Sequence, residues 1–229
     1  MVQINPTKLF VRFRFKKQGS LQYISHLDLV RTMHKVIVRA KLPLWYTEGF
    51  NPKPKIIFAA PLSIGTESVC EFMDIRMNEY IDPAEAMARI NANMTDEMQI
   101  TEAYYPESKF TDLKWMSYRM TISTLGLTDE LVERCNAYLS APSIEVQKKN
   151  SDKITDIRPL IKSASAVKDG KVMVINAVLS ADPSAFLNPE YVITALRSGV
   201  GILSSFNLTE ESYEILRLNA YLDDMSEFR

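Results

Sequence analysis

A strand-like alternation near the N-terminus, a capped amphipathic helix after it, and a loose repeat of that order later in the chain predict an α+β fold. The repeated order, β-α-β-β-α-β, specifies two tandem ferredoxin-like halves, residues 1–106 and 113–229. The polar stretch Glu107-Ser108-Lys109-Phe110-Thr111-Asp112 joins them. With 229 residues and a hydrophobic fraction of 46%, the chain can bury a core in each half.

Thr7–Lys17 alternates with period two. Leu9, Val11, Phe13 and Phe15 fall on one side, and Phe10, Arg12, Arg14 and Lys16 on the other. If the first set faces the helices, the second faces outward as a cationic sheet surface carrying an aromatic ring. Several RNA-binding folds use that arrangement. The competing expectation is that this face packs on the second half, with Arg12 and Arg14 paired to its acids. Lys17-Gln18-Gly19-Ser20 turns the chain.

Ser25–Ala40 has helical period, with Leu27, Val30, Met33, Ile37 and Ala40 on one stripe. Ser25 caps it, and Asp28 three residues on makes a variant capping box. His26 lies in the first turn, where backbone N–H groups and the helix dipole attract anions, and it is the candidate catalytic residue. Arg31, Lys35 and Arg39 form one ridge at helical spacing. His34, at the edge of the apolar stripe, reads as a packing residue.

Leu42–Tyr46 and Lys55–Ala60 read as extended segments flanking the loop Thr47–Lys55. Gly49 permits close approach, and Pro52 and Pro54 stiffen the loop. Phe50, Asn51, Lys53 and Lys55 offer a ring, an amide and two cations, a set suited to a nucleotide or peptide. A core-tucked Phe50 is the structural alternative. Pro61–Thr66 is a turn, Ser68–Met77 a strand, Asp82–Met94 a helix with Pro83 in its first turn, and Gln99–Tyr105 a strand. Glu67 follows the Gly65 turn, at the mouth of its strand.

In the second half Lys114–Ser123 is a strand and Thr128–Ala141 a helix capped by Thr128. Ile144–Lys149 and Asp156–Lys162 are extended, and Lys171–Ala181 alternates. Pro189–Ser198 is a helix, and Ser212–Asp223 a closing strand.

Charge is segregated. Residues 1–60 carry eleven lysines and arginines against two acids, Asp28 and Glu48, a net of +9. The remainder carries sixteen against twenty-six, a net of −10. A basic block of this kind draws in anions even when the whole chain, at −1, is near neutral. No apolar run approaches the roughly 18 residues of a membrane helix, and the N-terminus lacks a signal-peptide pattern, so the expectation is a cytoplasmic protein without membrane attachment. Cys70 and Cys135 lie far apart and outside any CxxC. They read as reduced packing residues and supply neither a zinc site nor an iron–sulfur cluster.

Arg12, Phe15, Lys17 and Gly19, then Tyr23-Ile24-Ser25-His26-Leu27-Asp28-Leu29, Arg39-Ala40, Leu42-Pro43, Gly49-Phe50-Asn51-Pro52 and Pro61-Leu62 together resemble the radical SAM-linked protein family, a domain of unknown function. The motifs span residues 9–76. Asp156-Ile157-Arg158-Pro159 extends the likeness weakly, and Lys35 and Val38 stand where the resemblance leads one to expect arginine. The resemblance implies a radical SAM enzyme as partner. It places the iron–sulfur cluster and S-adenosylmethionine in that partner, with no cofactor in this chain.

The leading expectation is a non-catalytic accessory protein that binds RNA or another polyanion for that partner. The binding residues would be Arg12, Arg14, His26, Arg31, Lys35, Arg39, Phe50, Asn51, Lys53 and Lys55. One alternative is a metal-independent RNA-processing enzyme using His26 as acid–base. The other is a protein–protein adaptor that never meets nucleic acid.

Overall fold

The computed structural model describes residues 9–147, 153–205 and 210–229. Thr7 and Lys8, at the start of the first expected strand, and Lys148 and Lys149, at the end of a later one, lie outside the described residues. The fold is α+β, with four α-helices among the described residues. The chain divides into two compact units. The first runs to Phe110 and includes Arg229; the second is Thr111–Phe228.

The first unit contains β1 (Phe10–Lys17), α1 (His26–Arg39), β2 (Ile56–Phe58), β3 (Thr66–Arg76), α2 (Pro83–Asn91) and β4 (Ile100–Tyr104). β1 pairs antiparallel with β3, setting Phe13 opposite Met73, and with β4, setting Arg14 opposite Glu102. β2 pairs antiparallel with β3. The strand order is therefore β4-β1-β3-β2.

The odd-numbered side chains of β1 behave as the alternation predicts. Val11, Phe13 and Phe15 join one core with Leu29, Met33, Val36 and Ile37 of α1, Met73 and Ile75 of β3, and Ala86 and Ile90 of α2. Each large apolar side chain buried this way contributes about 1.5–3 kcal/mol.

The stripe on α1 is turned from the expected one. Leu29, Met33, Val36 and Ile37 are buried, whereas Leu27 is 56% exposed. At about 100° per residue Leu27 stands about 120° from Met33, outside the arc that faces the sheet. The capping box forms: the Asp28 N–H donates to Ser25 Oγ (3.1 Å), and the Ser25 hydroxyl donates to the Asp28 carboxylate (2.7 Å). At the other end Arg89 of α2 donates to the carbonyls of Ala40 (3.0 Å) and Lys41, satisfying acceptors that the last turn leaves open.

The turn after β1 is held by two carboxylates. The Gly19 N–H donates to Glu67 (2.7 Å), and the N–H and hydroxyl of Ser20 both donate to Glu97 (2.8 Å each). Those bonds from Ser20 hold the Glu97 carboxyl below the usual range. Gly19 has φ +60°, and a Cβ there would meet the Glu97 carboxylate at 2.1 Å. Gly19→Ala is therefore expected to cost about 1–3 kcal/mol, from left-handed strain together with loss of the Glu97 bonds. Urea unfolding measures this, and a change within about 0.5 kcal/mol would show that the turn tolerates a side chain.

The second unit contains β5 (Trp115–Ser123), α3 (Asp129–Leu139), β6 (Glu145–Gln147), β7 (Ile154–Asp156), β8 (Ile161–Asp169), β9 (Val172–Ser180), α4 (Glu190–Val200) and β10 (Ser212–Tyr221). β5 pairs with β10 and β9, and β9 with β8, all antiparallel, in the order β10-β5-β9-β8. β6 and β7 form a separate ribbon. The bounds expected for the second strand of this half are corrected here. The second strand of the sheet is Ile161–Asp169, not a segment ending at Lys162. Its stretch Ser163-Ala164-Ser165-Ala166 buries only Ala166, so it shows no hydrophobic alternation. The ribbon is tied by Asp156, whose carboxylate accepts from the N–H groups of Ile144 (2.8 Å) and Arg158 (2.9 Å). These bonds lower its pKa and account for Asp156 in structural terms. The Thr128 cap forms as expected, accepting from the Leu131 N–H at 3.2 Å.

No helix among the described residues is long and apolar enough to cross a membrane.

Candidate anion-binding surface

The outward row of β1 is not the open cationic face that alternation alone predicts. Arg12 is fully buried: Nε donates to Asp74 Oδ1 at 2.7 Å and a terminal nitrogen to Oδ2 at 2.8 Å. The same guanidinium reaches Ser108 Oγ (3.3 Å) and the Ser108 carbonyl (3.0 Å), and lies 4.4 Å from the centre of the Phe110 ring. Arg14 pairs with Glu102 at 3.0 Å. These acids belong to the first unit itself. Tyr104 neighbours both arginines, and burial pushes its phenol up to about 12.

The loop after α1 is an ordered hairpin. The Trp45 N–H donates to the Arg76 carbonyl (3.0 Å) and the Arg76 N–H to the Lys55 carbonyl (3.0 Å), which docks the hairpin on β3. Within it, the Lys55 N–H donates to Trp45 (3.1 Å) and the Thr47 N–H to Lys53 (2.9 Å), and Tyr46 bridges Pro54. The Arg76 guanidinium lies 4.2 Å from the Trp45 ring centre, bracing the base. The prolines thus sit in a closed ribbon whose tip is Glu48-Gly49-Phe50-Asn51. Phe50 is fully exposed, so the core-tucked alternative does not hold. Asn51, Lys53 and Lys55 are exposed too.

On α1, Arg31, Lys35 and Arg39 are exposed, as the ridge predicts. Arg31 lies 3.4 Å from Asp28. Among the described residues Lys35, Arg39, Lys53 and Lys55 make no ion pair. A shallow groove of about 380 Å³ is lined by His34, Lys35, Val38 and Arg39. Burial, and then the positive charge of Lys53, lower the His34 pKa. His34 itself is half-buried at the edge of the apolar stripe.

His26 stands in the first turn of α1, exposed, with its ring edge-on to Phe58 at 5.9 Å. Phe58 in turn meets Phe15 at 6.4 Å. The His26 side chain makes no hydrogen bond among the described residues. No group of three or more His, Cys, Asp or Glu side chains that could hold a metal ion occurs among the described residues. Cys70 and Cys135 are both buried.

A family model described as an uncharacterized protein conserved in bacteria (DUF2344) matches residues 11–189. No curated protein matches the chain. Among solved structures, a crystal structure of a Cbf5-Nop10-Gar1 complex is similar at 11% identity and a TM-score of 0.49. That alignment covers 94% of this chain and 50% of the other, so this chain spans half the length of that relative. The crystal structure of an unknown protein from Galdieria sulphuraria aligns at 10% identity and a TM-score of 0.24, over 91% of this chain and 96% of that one. At that level of likeness neither structure assigns a function to this chain.

Proposed function

We propose that this chain, which belongs to the family of uncharacterized proteins conserved in bacteria (DUF2344), is an accessory protein that binds RNA on a surface shared by α1 and the Trp45–Lys55 hairpin. The supporting observation is a set of exposed cations on one unit, Lys35 and Arg39 on α1 with Lys53 and Lys55 on the hairpin. These exposed cations lack acidic partners among the described residues, on a unit whose hairpin also holds out a fully exposed Phe50. Phosphates would meet Lys35, Arg39, Lys53 and Lys55, with Arg31 at the edge. A base would stack on Phe50 beside Asn51. Arg12 and Arg14 are left out of the site, because their charges are matched by Asp74 and Glu102.

Two finer readings belong to the same proposal. Each half is ferredoxin-like, supported by the strand orders β4-β1-β3-β2 and β10-β5-β9-β8. The bound RNA is presented to a radical SAM enzyme that carries its own cluster and S-adenosylmethionine. The motif resemblance supports this partner.

Salt dependence tests the central claim. Four phosphate contacts on a single strand predict a loss of about 50-fold in affinity between 50 and 200 mM salt. Binding of total cellular RNA that is absent, or indifferent to salt over that range, refutes the reading. If a partner protein is retained after nuclease treatment while no RNA co-purifies, the surface is a protein-docking site instead.

A further inference from the structure

Two sheet edges are closed in the same way. β4 is an edge strand of the first unit. Asn91, at the end of α2, accepts from the Ile100 N–H of that strand (2.8 Å) and donates to the Ile100 carbonyl (2.9 Å). β8 is an edge strand of the second unit. There Asn136 of α3 accepts from the Ala166 N–H (2.7 Å) and donates to the Ala166 carbonyl (2.8 Å). Each amide takes both backbone groups of one residue, as a neighbouring strand would, and so blocks further pairing at that point.

β2, the other edge of the first unit, has no such stopper. The Lys55 carbonyl accepts from the Arg76 N–H (3.0 Å), and the Ala59 N–H donates to the Phe72 carbonyl (3.1 Å). Alternate residues of an antiparallel ladder bond across it. Ile57 therefore also bonds toward β3, while Ile56 and Phe58 turn their N–H and C=O groups away. Among the described residues nothing bonds to those outward groups. Ile57 is 39% exposed, and the exposed His26 ring stands edge-on to Phe58. Lys53 and Lys55 lead into the strand, exposed and without an ion pair among the described residues.

We infer that the outer edge of β2 docks an extended acidic segment of a partner protein, which adds to the first unit's sheet as a further strand. The outward N–H and C=O groups of Ile56 and Phe58 alternate as a peptide backbone does. Phosphodiesters accept but do not donate, so they leave the C=O groups unmatched. Charge selects the partner. Residues 1–60 carry a net +9, so a second copy brings like charge to this edge, whereas an acidic segment meets Lys53 and Lys55. Apolar side chains of the added strand would cover Phe58 and the His26 ring. The inference goes beyond the RNA reading, because its contacts are backbone groups that RNA binding does not use.

A random peptide display library selected on the full chain supplies the probes, and amide hydrogen exchange followed by NMR reads the site. The expected result is enrichment of acidic peptides in which β-branched residues alternate. At saturation each should slow exchange at the Ile56 and Phe58 amides by at least about tenfold. Methylating the peptide nitrogens that face β2 should abolish binding, while methylating the intervening ones should not. The inference is overturned if no peptide is enriched, if the enriched peptides are basic, or if they leave those two amides unchanged. Protection of the same amides without peptide, growing with protein concentration, gives the edge to a second copy and overturns it too. So does equal protection by an RNA of about twelve nucleotides, which would make the edge part of the RNA surface. The two readings fail separately. RNA binding without peptide-dependent protection sinks this inference alone, and peptide-dependent protection without RNA binding sinks the RNA reading alone.

Discussion

Reversing charge at Lys35, Arg39 and Lys53 together, each to Glu, is expected to weaken RNA binding at least about a hundredfold at 150 mM salt. Each site loses one counterion-releasing contact and gains a repulsive charge, so the salt slope should flatten as the affinity drops. All three side chains are exposed and unpaired among the described residues, so the melting temperature should hardly change. Lys171→Glu, in the β8–β9 turn of the second unit, makes the same change in charge per site elsewhere and should leave affinity within about twofold. Phe50→Ala separates stacking from charge. It should cost about 1–3 kcal/mol of binding with no change in salt slope, because a ring releases no counterions. A triple variant that still binds within about threefold of the wild type would place the RNA elsewhere or nowhere on this chain.

The features of this surface differ in how far local sequence could reveal them. Period two in Thr7–Lys17 and the capped 3.6-residue period after Ser25 are local signals. They locate β1 and α1 to within a few residues because one face of each element is buried and the chain must alternate to match. The exposed ridge of Arg31, Lys35 and Arg39 follows from the same geometry. Alternation says which side chains share a face but not what covers that face. The partner of Arg12 is sixty-two residues away, so a row that reads as open and cationic contains a buried ion pair. His34 is the converse case. Helical phase places it at the edge of the apolar stripe, where packing is the ordinary outcome. That local phase does not show that the charge of Lys53, nineteen positions on, bears on the same side chain. β8 escaped because a strand that buries almost none of its side chains has no hydrophobic period to read. Local pattern therefore located the elements of the surface, while the contacts that decide which charges remain available are long-range.

Arg12→Met is expected to destabilise the first unit by about 3–5 kcal/mol at neutral pH. The substitution keeps the aliphatic stem and removes the guanidinium, leaving Asp74 buried without its two-point partner. It also removes the donors to Ser108 and the cation over Phe110, so the segment 108–110 loses its tie to the sheet. Hydrogen exchange should then speed up at the Glu107 and Ser108 amides, which donate to the Arg229 carbonyl from that same segment. The pH dependence identifies the cause. Burial already pushes the Asp74 carboxyl upward against the pull of Arg12, and without Arg12 it rises further. A group whose folded pKa is raised binds its proton more readily in the native state. The deficit of Arg12→Met should therefore be full above that folded pKa and shrink as pH falls through it, once the buried carboxyl is neutral. Glu97 and Asp156 run the other way. Their folded pKa values are lowered, and their contribution is lost as pH falls through those values, so the comparison must be variant against wild type at each pH. Replacing both partners, Arg12→Met with Asp74→Leu, removes the stranded charge and should recover most of the loss, since a well-packed apolar pair often matches a buried ion pair. Urea unfolding of the four proteins at about pH 7.5 and pH 5 closes the cycle. A single variant that loses less than about 1 kcal/mol, or whose deficit does not depend on pH, would mean that Arg12 is not the counterion holding Asp74 in the sheet. Its guanidinium would then return to consideration as a phosphate ligand.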